Sequence, residues 1–201
     1  MPHAVGTLGA RIGVACLLLV YTWAPLTAGD AGDLEYHVKA AFLYNFARFV
    51  EWPQSPDGGS SAQIPPAHNA GDPFHLCILG RDPFGSFLDS SLAGKIVAGR
   101  AVTVVRLLDS KLLDGCQALF ISSSERKNVR TILGLLAEAP VLTISEIPGF
   151  AQQGGMVNFY LEDQKVHFEI NPKSASRTGL RVSSQLLRLS RVVDTSTGSG
   201  K

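Results

Sequence analysis

Hydrophobic positions along the chain follow two different periods. From Asp33 to Trp52, residues Leu34, Val38, Ala41, Phe42, Phe46, Phe49 and Val50 recur at three- and four-residue spacing. That spacing predicts one amphipathic helix. Leu43, Tyr44 and Ala47 widen its apolar surface, so the helix is expected to be largely buried. Asp33 is placed to cap its start, and Pro53 to end it. Residues 54–73 are rich in Pro, Gly, Ser and Ala without any period, and read as an exposed inserted loop.

Beyond that loop, short continuous apolar runs alternate with helical patterns. Phe74 to Leu79 reads as a buried strand, and Gly80-Arg81-Asp82-Pro83 as the turn into a helix ending near Leu92. Lys95 to Leu108 is strand material with a turn near Ala98-Gly99. Ala118 to Ser122 is a further strand. Ser122 and Glu125 have capping-box spacing for a helix that carries Val129, Ile132, Leu133 and Leu136 on one face. Val141 to Ile144 is the next strand, and a loop covers Ser145 to Gly155. Met156 to Leu161 and Val166 to Ile170 form a hairpin around Glu162-Asp163-Gln164. A last helix is predicted over 176–193, with Val182, Leu186, Leu189 and Val193 as its stripe, followed by a flexible tail at 194–201. The order predicts an α/β domain over 33–193: a mostly parallel sheet flanked by helices, with right-handed crossovers and a C-terminal antiparallel hairpin on the edge.

Composition narrows the class. Hydrophobic residues make up 45% and charged residues 17%, and the formal net charge is +1. A core is affordable on that composition, and there is no bulk electrostatic case for nucleic acid. Residues 1–28 read as a signal peptide: Arg11, the apolar run from Ile12 to Val20, Pro25, then small residues with cleavage after Ala28. The competing reading is an N-terminal anchor, for which the run is short. Cleavage removes Cys16 and leaves Cys77 and Cys116 in an oxidising compartment, where a disulfide is the simplest state and two unpaired buried thiols the alternative. Cys77 lies in one predicted strand and Cys116 just before another, within bonding reach if the strands are neighbours.

Reaction motifs are missing: there is no Gly-x-Ser-x-Gly elbow, no P-loop and no Gly-x-Gly-x-x-Gly. The histidines are isolated, so neither a metal nor a cofactor is expected, and the chain reads as a binding protein rather than an enzyme. Candidate binding residues gather where parallel strands end: Arg81 and Asp82, then Ser122, Ser123 and Ser124, then Ser145 and Glu146. Ligands of open α/β sheets bind at that edge. A second cluster is C-terminal: Asn171, with Arg177, Arg181, Arg188 and Arg191 on the last helix, preceded by Gly154-Gly155. Two functions compete. One is a regulator that docks on a partner through exposed apolar surface around Phe42, Tyr44 and Phe49. The other is a small-molecule sensor with its ligand near Ser122, Ser145, Asn171 and Arg177.

The segment Tyr36-His37-Val38-Lys39-Ala40-Ala41-Phe42-Leu43-Tyr44-Asn45-Phe46-Ala47-Arg48-Phe49-Val50-Glu51-Trp52-Pro53 resembles the opening of the YfiR family. Cys77-Ile78-Leu79-Gly80, Gly154-Gly155-Met156-Val157-Asn158-Phe159, Phe168-Glu169-Ile170-Asn171 and Gly179 through Leu187 resemble it too. The resemblance implies a periplasmic α/β protein that represses an inner-membrane diguanylate cyclase, or a related sensor kinase, by binding its periplasmic region. It also implies an outer-membrane lipoprotein that sequesters the repressor, a homodimer, and a stabilising Cys77–Cys116 bond. The second cysteine pair that some relatives carry near the glycine loop is absent here, since Gly149 to Met156 holds no cysteine.

Overall fold

The computed structural model describes residues 28–53 and 72–193. The expected signal peptide, apart from Ala28, most of the inserted loop and the tail lie outside the described residues. In chain order, the elements begin with helix α1 (Ala28–Arg48), strand β1 (Val50–Glu51), β2 (Phe74–Leu79), α2 (Ser86–Leu92), β3 (Ile96–Val97), β4 (Arg100–Leu107) and β5 (Ala118–Ile121). Then come α3 (Val129–Leu135), β6 (Leu142–Ser145), β7 (Val157–Glu162), β8 (Lys165–Ile170), α4 (Pro172–Arg177), β9 (Arg181–Val182), α5 (Ser184–Arg188) and β10 (Arg191–Val192).

Eight strands form one sheet in the order β10-β8-β7-β6-β5-β2-β4-β3, and β1 pairs with β9 in a separate two-stranded ribbon. Strands β4, β2, β5, β6 and β7 run parallel, as the alternation of apolar runs and helices predicts. The chain leaves β2 outward to β4, then returns past β2 to β5 and β6. The order therefore reverses between β2 and β5, as in doubly wound sheets. Successive residues of β2 face opposite sides: Leu76 and Ile78 join a core with Leu43, Phe46, Phe84, Phe120 and Phe159, whereas Cys77 and Leu79 join one with Leu119, Ile121, Val129, Ile132 and Phe150. Helices α1 and α2 cover the first face and α3 the second. A strand buried on both faces has no polar alternation, which is why β2 and β5 read as unbroken apolar runs. Cys77 and Cys116 are bonded, with Cα atoms 5.8 Å apart, in the core beneath α3.

The structure corrects several expected boundaries. Helix α1 ends at Arg48 rather than Trp52, because Val50–Glu51 pairs with Arg181–Val182. Its buried face is also rotated. Lys39, Ala40, Leu43, Phe46 and Ala47 face the core, while Leu34 and Val38 face out. Helix α2 begins at Ser86, not Pro83. Asp82 instead accepts from the Phe84 amide at 2.7 Å and an Arg106 guanidinium N–H at 2.7 Å, making a turn. Ser122 caps a 3-10 turn over Ser123–Glu125, and α3 starts only at Val129, so the expected capping box does not form there.

The largest correction is the last helix. Residues 176–193 form no single helix but the end of α4, then β9, α5 and β10. The stop and start signals are ordinary ones. Asn171 caps α4 through the Ser174 amide with Pro172 in its first turn, Gly179 follows at φ +78°, and Ser183 caps α5 through the Leu186 amide. The hairpin is present, turning through Asp163 and Gln164 at φ 50° and 60°. It is not the sheet edge, since β10 lies alongside β8.

A polar crevice at the carboxyl edge of the sheet

The carboxyl ends of β2, β5 and β6 carry the polar residues that the sequence places there. At the β2–β5 reversal, the Arg81 amide donates to Ser124 Oγ at 3.0 Å, and a Cβ on Gly80 would lie 2.4 Å from that oxygen. Glycine, at φ +87°, is what allows the two strand ends to approach. The Arg81 side chain itself is exposed. Ser122 is buried against this turn, and Ser123 points outward toward Glu146.

Glu146 is the centre of a network that sequence reasoning did not assemble. One carboxylate oxygen accepts from Ser123 Oγ at 3.0 Å and from the Tyr36 hydroxyl at 3.2 Å. The other accepts from Lys39 Nζ at 2.6 Å, and Lys39 also pairs with Glu35 one turn earlier on α1. Lys39 is 3% exposed, and its ammonium lies 4.6 Å from the centre of the Tyr36 ring. Two carboxylates and an aromatic face therefore replace the water that a buried lysine gives up. The sequence signal was available: Lys39 interrupts the apolar face of α1, four residues after Glu35. Its partner Glu146 is 107 positions away, which no local pattern reveals.

Burial, followed by the negative charge of Glu146, pushes the Tyr36 phenol up to about 12. The folded chain thus holds this proton at pH values where the unfolded chain, with a phenol near 10, has released it. The corresponding stability is present below about pH 10 and is lost as pH rises toward 12. In an absorbance titration at 295 nm, ionisation of one phenol near pH 12 is expected in the parent and is expected to be missing in Tyr36→Phe; identical curves for the two proteins contradict this.

These groups line a crevice of about 630 Å³ over the end of β6, with Arg126, Glu169, Tyr160 and Arg191 on its walls. Arg191 lies over the Tyr160 ring at 4.7 Å. Of the expected site residues, the crevice holds Ser123, Glu146 and, from the C-terminal cluster, Arg191, with Ser122 and Arg81 on the neighbouring strand ends. Ser145 spends its hydroxyl inside the fold, donating to the Ile121 carbonyl at 2.7 Å and accepting from the Ile147 amide at 3.1 Å.

Asn171, Arg177 and Arg181 lie elsewhere. Strand β8 is antiparallel to β7, and its carboxyl end meets the beginning of that strand, where the Asn171 amide donates to the Met156 carbonyl at 2.8 Å. The Asn171 side chain is fully buried, capping α4 and donating to the Ala151 carbonyl at 2.9 Å. Arg177 lies beside Gly154, its guanidinium donating to Ser174 Oγ at 3.0 Å. Arg181 is opposite Glu51 in the small ribbon.

Buried asparagine also shapes the loop between β6 and β7. Asn158 accepts from the Phe150 amide and donates to the carbonyls of Ser145, Ile147 and Phe159. Phe150 is packed so closely that a Cβ on Gly155 would lie 2.1 Å from its ring. Hydrogen bonds and packing, with no covalent clasp, hold this loop. Among the described residues no group of three or more His, Cys, Asp or Glu is arranged to hold a metal ion, and no helix is long and apolar enough to cross a membrane.

An open, doubly wound α/β sheet, stapled by one buried disulfide and closed at its carboxyl edge by its first helix, defines the class. A family model described as YfiR/HmsC-like matches residues 36–191, and the chain belongs to that family. The family comprises periplasmic regulators of diguanylate cyclase signalling.

Proposed function

We propose that this chain is a periplasmic repressor that binds the periplasmic region of an inner-membrane diguanylate cyclase, or of a related sensor kinase, through a groove between α1 and the β7–β8 hairpin. One observation carries the choice of surface. Leu34, Val38 and Leu161 are 64%, 38% and 51% exposed and surround an apolar groove of about 500 Å³ with Phe42 and Val166. Large apolar side chains gathered around one exposed groove mark interaction sites. Of the surface expected around Phe42, Tyr44 and Phe49, all three rings are partly buried against the core, and Phe42 also lines this groove. Glu35 and Lys165 stand on the rim and supply orientation rather than affinity. A homodimer would present the groove twice, and an outer-membrane lipoprotein covering it would release the cyclase.

Binding of the purified chain to the isolated periplasmic region of a cyclase encoded beside it tests the reading. Val38→Glu is expected to weaken that binding at least about tenfold, the loss of roughly 1.4 kcal/mol, while leaving the unfolding midpoint unchanged. Undiminished binding by Val38→Glu removes the groove from the proposal. Failure of the parent chain to bind in its disulfide-bonded form removes the function.

A further inference from the structure

Gly134 is the last residue but one of α3 and is exposed. Its backbone is not left-handed, and a Cβ built on it meets no atom within 4 Å. No contact within this chain accounts for the missing side chain at this exposed position. The space in front of it is a groove of about 780 Å³ between α3, the loop before β7, and α4. Leu136 and Met156 give the groove apolar walls, and Arg130 and Arg177 give it two guanidinium groups. Ser174, itself 2% exposed, accepts from Arg177 at 3.0 Å and fixes that guanidinium beside the backbone of Gly154. Neither arginine is paired with a carboxylate among the described residues. Glu138 stands at the far end of α3 and restricts where negative charge can sit.

We propose that this groove binds a small organic anion. Its carboxylate or phosphate group lies between Arg130 and Arg177, and its apolar body lies on Leu136 and Met156 against the bare backbone of Gly134. The volume suits a ligand of ordinary metabolite size. Planar guanidinium groups fit oxyanions bidentately, and a helix without a side chain at that turn lets a flat apolar group approach closely. The groove is separate from the α1–hairpin surface, sharing none of its lining residues, so each site can be disabled alone.

The test uses 8-anilinonaphthalene-1-sulfonate, an anion with an apolar body, titrated into the purified chain and followed by fluorescence. Saturable binding is expected, weakened about tenfold in Arg130→Ala and in Arg177→Ala, which is one charge-assisted contact. Gly134→Leu is expected to abolish binding without lowering the unfolding midpoint, because a side chain there fills the groove and meets no atom of the fold. Val38→Glu should bind the probe normally, which separates this site from the docking groove. Binding unchanged in both arginine variants, or unaffected by Gly134→Leu, overturns the proposal. Displacement of the probe by inorganic phosphate at equal concentration overturns the apolar half of the assignment.

Discussion

Replacing both cysteines, Cys77→Ala with Cys116→Ala, is expected to lower the unfolding free energy by about 4 kcal/mol. The bond closes a loop between residues 39 positions apart, and the chain-entropy relation gives about that value for a loop of this length. It is a large part of the roughly 5–15 kcal/mol that holds a typical domain folded. Both sulfur-bearing residues are buried in the core beneath α3, at 1% and 2% exposure, so the double alanine variant also loses packing there. Paired denaturant titrations of the parent and the variant measure the difference. Midpoints that coincide would show that the bond is dispensable. The same burial predicts that a thiol reductant acts slowly on the folded chain, at a rate set by opening of the structure rather than by reductant concentration.

Lys39→Met is expected to cost about 3 kcal/mol, near the low end for breaking a buried ion pair by deleting one member. The variant leaves Glu146 and Glu35 facing each other without the cation that both contact. Their side chains retain 12% and 25% exposure, and the remaining contact with water keeps the cost from being larger. Adding Glu146→Gln should recover most of the loss. The amide oxygen can still accept from Tyr36 and Ser123, and one of the two orphaned charges is gone. A double-mutant cycle on these two positions measures the coupling directly. A coupling energy near zero would show that the lysine contributes through packing of its stem alone.

The parts of this fold that were legible in the sequence share one physical trait: their signals are local. Strands β2 and β5 are apolar runs because both faces are covered, and the hairpin turn follows from alternation on either side of Asp163-Gln164. The bond between Cys77 and Cys116 was legible only on the condition that their strands are neighbours, which β2 and β5 are. What was missed depends on partners far away in the chain. The rotation of α1 is set by Lys39, whose burial makes sense only once Glu146 is beside it. The division of the candidate residues between two places follows from the direction of β8: a strand end was read as belonging to the ligand edge, but an antiparallel strand ends at the opposite one. That is why Asn171 and Arg177 are not beside Glu146. The last helix was a different error. Gly179 and Ser183 carried ordinary stop and start signals, and the spacing of Val182, Leu186, Leu189 and Val193 outweighed them. Leu189 is 71% exposed, so the stripe never formed.

The ribbon that joins Val50–Glu51 to Arg181–Val182 sets the order in which the polypeptide can finish folding. A chain delivered amino end first makes its opening helix early, yet the segment leaving that helix has no pairing partner until almost the last residues arrive. Strand β8 likewise waits for Arg191–Val192 to cover it. Closure at such separation is slow compared with contacts between neighbours, so the ribbon is expected to be among the last contacts to form.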